Sequence, residues 1–207
     1  MRKQFYFLST LCLFSMSVFG QGNKSNNNQN DKDTITSIIE NHEHFTFLDI
    51  PINGTIKQFV KELKNKNFKL KDITEVDAVL TGRYTGEKVQ LLVQGKKETV
   101  ASVIVILPER ESLFDATSRY TYIKSKLIEK YGEPEINEEK FEEFNNKTYD
   151  DEKKALKDGL YIFESHFLSK NGNGMIRIKI ESDLSILISY VDTKNYKLLS
   201  GDAFKEY

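Results

Sequence analysis

The 207-residue chain is poor in residue types that several common functions require. It has one cysteine, Cys12, so neither a disulfide framework nor a thiolate metal cluster can form within it. It has no tryptophan, and its 30 basic and 31 acidic residues nearly cancel. A near-neutral chain offers no electrostatic basis for general nucleic-acid binding. The composition thus excludes a disulfide framework and a thiolate metal cluster and argues against nucleic acid as a partner.

Aromatic residues, in contrast, are plentiful. The chain has 14 phenylalanines and 10 tyrosines, and 39% of its residues are hydrophobic. Disordered chains are poor in aromatic residues, so this composition predicts a folded body with a substantial core. A core of this size needs no disulfide for stability.

Residues 1–20 have the pattern of a signal peptide. Arg2 and Lys3 form a positive start, an apolar run follows, and Gly20 ends the segment on a small residue. The apolar run is too short for a stable membrane span. We predict cleavage after Gly20 and export to the periplasm, the cell surface or the medium, with a short uncleaved anchor as the alternative. Cleavage removes Cys12, which lies inside the apolar run and not at the position of a lipoprotein cysteine.

Residues 21–33, QGNKSNNNQNDKD, contain five asparagines and no apolar side chain. Such a segment cannot bury surface to offset the entropy of ordering, so we predict a flexible tether. A single body is expected over residues 34–207. Its first part has helical spacing near 35–39 and strand-like alternation near 44–48.

Two amphipathic helices are predicted within the body. Thr55 and Gln58 have the spacing of a capping box, so the first helix begins there. Its apolar stripe comprises Ile56, Phe59, Val60 and Leu63. The second helix begins near Ser112 and ends before Gly132. Its buried face is expected to hold Ala116, Tyr120, Ile123 and Leu127.

Strand patterns follow each helix, with glycine-containing connections between them. The predicted strands cover residues 78–84, 88–94, 99–107, 160–168, 175–181 and 184–191. The strand at 99–107 is apolar on both faces, which predicts a central position in the sheet. We expect the acidic stretch 135–144 to be a loop, and a short helix at 149–157.

The order helix, three strands, helix, three strands predicts an α+β fold. We expect an antiparallel sheet with both helices on one face. Two helix-plus-three-strand units, at about 44–108 and 109–207, would form a repeat in architecture rather than in residues. One α+β domain with unrelated halves is the alternative.

Several motifs carry a family resemblance. They are HFTFLDIPINGTIKQFVKEL at 44–63, LTGRY at 80–84, KYGEP at 130–134, and ISYVD at 188–192 with Asn195. The chain resembles, over most of residues 44–195, an uncharacterised family of secreted Bacteroides-type proteins. These are turn, cap and core residues, so the resemblance implies a fold and no catalytic residue. The helix-plus-three-strand unit is more weakly similar to modules of beta-lactamase inhibitor proteins and small outer-membrane assembly lipoproteins, which bind proteins.

If the chain comes from a Bacteroides-type bacterium, one short motif is a candidate site of O-glycosylation. Asp33-Thr34-Ile35 resembles the O-glycosylation sequon of exported proteins in that phylum. A helix N-cap at Asp33 or Thr34 is the competing interpretation, and the two are compatible.

Catalytic and metal motifs are sparse. The three histidines are His42, His44 and His166, which would suffice for a zinc site only if the last lies near the first two. No G-x-S-x-G elbow and no glycine-rich loop between a strand and a helix are found. We therefore expect no catalytic residue, no bound metal and no cofactor.

Carboxylates cluster in the insert between the second helix and the later strands. They are Glu138, Glu139, Glu142, Glu143, Asp150, Asp151 and Glu152. A glycosidase needs two carboxylates at a fixed separation on a rigid frame, whereas these lie in a polar, Asn-rich stretch. A solvated surface is the better interpretation, and a carboxylate-dependent hydrolase acting on an envelope polymer stays as the alternative function.

Four polar residues point away from the apolar side of their predicted strands. They are Gln90, Gln94, Arg177 and Lys179. If both helices cover one face of the sheet, these residues line the other face. We predict a binding surface there, with mere solubility as the alternative. The predicted function is an exported, non-catalytic interaction module whose partner is another envelope protein, with its oligomeric state left open.

Overall fold

A computed structural model describes residues 44–96, 99–141 and 149–197, with side chains from residue 151 onward in the last segment. The predicted signal peptide, the tether, Thr34 and the helix near 35–39 lie outside these described residues. Within them, no helix combines the length and the apolar character needed to cross a membrane.

The described part of the chain contains three helices of 9 to 19 residues and ten strands. In chain order the elements are β1 (Thr46–Phe47), β2 (Ile50–Pro51), α1 (Ile56–Asn65), β3 (Lys69–Ile73), β4 (Asp77–Tyr84), β5 (Glu87–Lys96), β6 (Thr99–Leu107), α2 (Leu113–Tyr131), β7 (Ile136–Lys140), α3 (Tyr149–Lys157), β8 (Ile162–Leu168), β9 (Gly174–Ile180) and β10 (Ile186–Asp192). Residues 193–197 are helical.

The strands form two antiparallel sheets. β1 and β2 make a two-stranded sheet, and the other eight make one sheet in the order β3-β4-β5-β6-β10-β9-β8-β7. The predicted α+β class with an antiparallel sheet is therefore confirmed. The last strands of the two runs, β6 and β10, pair at the centre, where the apolar strand at 99–107 was expected.

The prediction of three strands after each helix is not confirmed, because four strands follow each of α1 and α2. The additional strands are β3 and β7, which form the two edges of the main sheet. The predicted loop at 135–144 is wrong for Ile136–Lys140, which pairs with β8. All five residues of β7 are exposed, so this strand lacks the alternation of apolar and polar residues that marks a half-buried strand.

The start and the buried stripe of α1 match the predictions. Gln58 donates its backbone N–H to the Thr55 hydroxyl at 3.2 Å, and Thr55 donates its own to the Gln58 side-chain oxygen at 3.0 Å. This reciprocal pair is a capping box. The buried stripe is Ile56, Phe59, Val60 and Leu63. Full burial of such a side chain contributes about 1.5–3 kcal/mol relative to exposure, so the stripe fixes α1 on the sheet.

The second helix also has the predicted ends and face. Ser112 caps α2 by accepting the backbone N–H of Asp115 at 3.1 Å, and Gly132 ends the helix with a φ of 92°. Its buried residues are Leu113, Ala116, Tyr120, Ile123 and Leu127. The Tyr120 hydroxyl lies 2.6 Å from the Ser165 hydroxyl of β8, so a hydrogen bond joins this helix to the sheet.

Both helices pack on the same face of the main sheet. Their buried side chains belong to one core cluster with alternate strand residues such as Leu91, Val105, Ile178 and Ile188. α1 contacts β3 to β6, and α2 contacts β8 and β9. The intervening strand residues consequently form the opposite face, which carries no described helix.

The segment before α1 is held to the end of β10 by two buried polar residues. The Asp192 carboxylate accepts the backbone N–H of Phe45 at 2.8 Å, and the His44 ring nitrogen Nδ1 lies 3.1 Å from the same oxygen. Asn195 donates its side-chain amide to two backbone carbonyls at 2.9 and 3.0 Å. Both residues come from the last motif of the family resemblance, and their role here is structural.

Candidate binding face

Alternate residues of the main sheet point away from the helices, and we call this surface the open face. The strand registers align its residues in rows that cross the whole sheet. One row runs Asp72, Val79, Leu92, Ile104, Ser189, Arg177, His166 and Ile136. The next row runs Lys69, Thr81, Gln90, Ile106, Leu187, Lys179, Glu164 and Glu138.

The four predicted binding residues all lie on the open face. Gln90 and Gln94 are exposed, whereas Arg177 and Lys179 are half-buried. Gln90 and Lys179 share one row but are three strands apart, which separates their backbones by about 14 Å at the usual strand spacing. The structure therefore brings the four residues to one surface without bringing them into one contact cluster.

The centre of the open face is apolar. Leu92, Ile104, Ile106 and Leu187 form what we call the central strip, and all four are half-buried. They come from β5, β6 and β10, the middle strands of the sheet. Sequence reasoning did not assign them to a site, although the prediction that residues 99–107 are apolar on both faces contained the signal. Contiguous apolar residues on a solvent-facing sheet are typical of an interaction surface.

One corner of the open face is cationic. Lys69, Arg83 and Lys88, which we call the basic corner, come from β3, β4 and β5 and are exposed. Arg83 and Lys88 are direct cross-strand partners, and Lys69 is the partner of Thr81. None of these cations was singled out from the sequence, and the proximity of Lys69 to the other two depends on a strand, β3, that was not predicted.

The opposite side of the open face carries a charged network, the Glu164 cluster, of Glu164, His166 and Arg177. Arg177 donates through Nε and Nη2 to the two carboxylate oxygens of Glu164, each at 2.7 Å. The His166 nitrogen Nε2 lies 2.5 Å from Glu164 Oε1. The fork geometry fixes the arginine and the glutamate in one orientation.

This network determines the ionisation of Glu164. Burial of the carboxyl group by itself raises its pKa, but the hydrogen bonds from His166 and Arg177 and their charges outweigh burial. The result is a pKa lowered from 4.5 to about 2. Glu164 is therefore ionised at every physiological pH, and it cannot serve as a general acid there.

The described histidines do not support the three-histidine arrangement. His44 lies against Asp192 at one end of the core, whereas His166 belongs to the Glu164 cluster on the open face. His42 lies outside the described residues. Among the residues that the structure describes, no group of three histidine, cysteine or acidic side chains is placed to hold a metal ion.

The acidic insert contributes to structure rather than to one site. Glu139 forms an ion pair with Lys124 of α2 at 2.5 Å. Glu152 of α3 accepts the backbone N–H of Leu113 at 3.1 Å and so caps the start of α2. Glu142 and Glu143 lie outside the described residues, and so does the side chain of Asp150.

Comparisons with known proteins add no further assignment. No protein-family model, no curated protein and no solved structure matches the chain. The resemblance noted from the motifs therefore stays a prediction.

Two of the depressions formed by the described residues lie on the helix side. One, of about 430 Å³, is lined by residues of β2 and the start of α1, including Phe59 and Glu62. The other, of about 530 Å³, lies between the β6–α2 loop and α2, next to Arg119 and Tyr122. Both are shallow and open, so neither encloses a ligand as typical catalytic pockets do.

Proposed function

We propose that the protein is an exported, non-catalytic interaction module whose open face contacts another protein of the cell envelope. The observation that carries the proposal is the central strip, an apolar zone with charged and polar groups on both sides. Charged rims around an apolar centre are the usual anatomy of protein–protein interfaces.

The size of the open face supports this proposal. Eight strands at about 4.8 Å spacing and about 17–20 Å length give roughly 700 Å². Each partner in a standard interface contributes about 800 Å². A surface of this size suits a folded protein or an extended segment better than a small molecule.

Three carboxylates, Glu139, Glu152 and Glu164, are engaged in contacts that argue against a hydrolase role for them. Both oxygens of Glu164 are engaged by Arg177, and one is also engaged by His166. Glu139 and Glu152 are committed to contacts with α2. A carboxylate hydrolase needs one free acid and one free base facing each other.

Two organisational predictions belong to the same proposal. The signal-peptide pattern of residues 1–20 supports export, and the polar composition of residues 21–33 supports a flexible segment before the body. In each half a helix precedes four strands of the main sheet, with α3 inserted between β7 and β8 in the second half. This order supports two units of similar architecture, at about 44–108 and 109–207.

Retention of an envelope partner tests the proposal. The mature protein is immobilised, and proteins of an envelope extract that it retains are identified. We expect one recurrent partner, which is lost on Gln90→Arg with Leu92→Arg and is kept on Lys57→Glu, an exposed change on α1. Arg177 is left unchanged because its replacement would disrupt the Glu164 cluster. Equal retention by all three proteins would contradict the proposal.

A further inference from the structure

We infer that the basic corner, Lys69, Arg83 and Lys88, binds the carboxylates of an acidic protein segment. The inference rests on the proposed function, because the basic corner is one part of the open face. It adds the chemical class of the partner and the end of the sheet at which the partner is anchored.

The register places the three cations close together. Arg83 and Lys88 are directly opposed on β4 and β5, and Lys69 on β3 is opposed to Thr81, two residues from Arg83. Opposed side chains in an antiparallel sheet are about 5 Å apart at their Cβ atoms, and diagonal neighbours are about 7–8 Å apart. One short run of carboxylates can therefore reach all three.

The described structure does not neutralise these charges. None of the three cations forms an ion pair in the described part of the chain, and Arg83 donates to the backbone carbonyl of Gly86 at 2.9 Å. The adjacent Glu87 points to the helix side, where Arg110 and Arg119 lie 2.5 and 2.6 Å from its oxygens. Its charge is thus already compensated on the other face of the sheet.

This arrangement lowers the stability of the sheet. Like charges directly opposed on neighbouring strands are destabilising, as Arg83 and Lys88 are here. Lysines on an edge strand prevent aggregation, which accounts for Lys69 on β3. That reason does not extend to Lys88, because β5 is an interior strand. An anionic partner would convert the repulsion into attraction.

The neighbouring residues favour a protein segment as the source of the carboxylates. Gln90 follows two residues after Lys88 and is opposed to Ile106 of the central strip. The basic corner is therefore continuous with apolar surface that side chains of a peptide can cover. An anionic polysaccharide has no apolar side chains to cover the central strip. The apolar side chains of the strip are half-buried, which leaves little apolar area for insertion into a bilayer.

A peptide-binding measurement tests the inference on the mature chain. The probe is a labelled twelve-residue peptide of alternating glutamate and leucine, followed by fluorescence anisotropy at pH 7.4. The same peptide with lysine in place of glutamate is the charge control. We expect the acidic peptide to bind, and its affinity to fall at least tenfold in the triple variant Lys69→Glu, Arg83→Glu, Lys88→Glu.

A matched variant separates location from net charge. Lys57→Glu, Lys61→Glu and Lys126→Glu make the same change in net charge on the exposed surfaces of α1 and α2, and they should alter the affinity less than twofold. Equal losses in both triple variants, or no binding of the acidic peptide, would overturn the inference. Tighter binding of heparin or of phosphatidylglycerol vesicles at the basic corner would also overturn it.

A single neutral variant guards against loss of folding. Lys88→Gln removes the repulsion with Arg83, so we expect a higher melting temperature together with weaker peptide binding, by about threefold. A lower melting temperature, or unchanged binding, would contradict the inference. Retention of the envelope partner separates the two claims. If the partner is lost in Gln90→Arg with Leu92→Arg but kept in the charge-reversed triple variant, the inference fails and the proposed function stands. If both variants keep the partner, the inference and the proposed function both fail.

Discussion

Replacement of Glu164 by glutamine should remove a pH-dependent part of the stability of the protein. Glu164 holds together β8 and β9 on the open face, because it accepts both donors of Arg177 and lies 2.5 Å from His166. Glutamine keeps the size of the side chain but not its charge. The variant therefore separates the electrostatic contribution from side-chain volume.

The magnitude follows from the ionisation of Glu164. Its pKa lies at about 2 in the folded protein against an ordinary value of 4.5. Since a shift of one pKa unit corresponds to about 1.4 kcal/mol, the ionised carboxylate contributes about 3 kcal/mol to the free energy of unfolding at neutral pH. Its side chain is 17% exposed, so solvent screening reduces this, and we expect about 2 kcal/mol.

The direction of the pKa shift of Glu164 determines the pH range over which its stabilising contribution is lost. Because the folded-state pKa is lowered, the contribution is complete above about pH 5 and is lost as the pH falls towards 2. The difference in unfolding free energy between the wild type and Glu164→Gln should therefore shrink from about 2 kcal/mol at pH 7 to near zero at pH 2.

Urea denaturation at pH 7, 5, 4, 3 and 2 measures this difference. The control is Glu138→Gln, which neutralises the exposed residue directly opposite Glu164 on β7. We expect that variant to stay within about 0.5 kcal/mol of the wild type at every pH, as surface substitutions usually do. A difference for Glu164→Gln that does not change between pH 7 and pH 2 would refute the reasoning.

Three further substitutions test other parts of the fold. Asn195→Ala removes the donor to two buried backbone carbonyls, so chemical denaturation should show a loss of about 2–4 kcal/mol; a loss below 1 kcal/mol would contradict the assigned role. Gly82→Ala places a methyl group 2.3 Å from the Phe68 ring, so thermal unfolding should show destabilisation of about 1–3 kcal/mol, and an unchanged melting curve would rule out this close approach. Tyr120→Phe removes the hydrogen bond to Ser165, so urea denaturation should show a loss of about 0.5–1.5 kcal/mol in unfolding free energy. An unchanged unfolding free energy would show that this bond is absent.

Much of the fold follows from local sequence signals. The capping box at Thr55, the cap at Ser112 and the Gly132 terminus are set by neighbouring residues. Both helices begin where predicted, and α2 also ends there. The strands with one buried face were recognised from their alternation. β3 and β7 were missed because each is an edge strand that pairs with one neighbour only, and its mostly exposed residues show little alternation of apolar and polar side chains.

The sequence predicted which residues lie on the open face better than it predicted the contacts among them. Placement of Gln90, Gln94, Arg177 and Lys179 on one surface follows from strand parity alone. The Glu164 cluster also requires the register between β8 and β9, which the hairpin turn at Gly172 determines. The basic corner requires three strands, of which one was not recognised. The presence of β3 and the exact strand registers were thus the missing information.

The central claim, that the open face contacts an envelope protein, can be tested by photocrosslinking in living cells. A benzophenone amino acid is placed at Gln90 or Gln94 on the open face, and at Phe114 or Tyr122, which are exposed on α2. The last two positions already hold aromatic residues, so they are conservative controls. We predict an adduct with the same envelope protein from both open-face positions and none from α2. Adducts that form from α2 but not from Gln90 or Gln94 would contradict the claim.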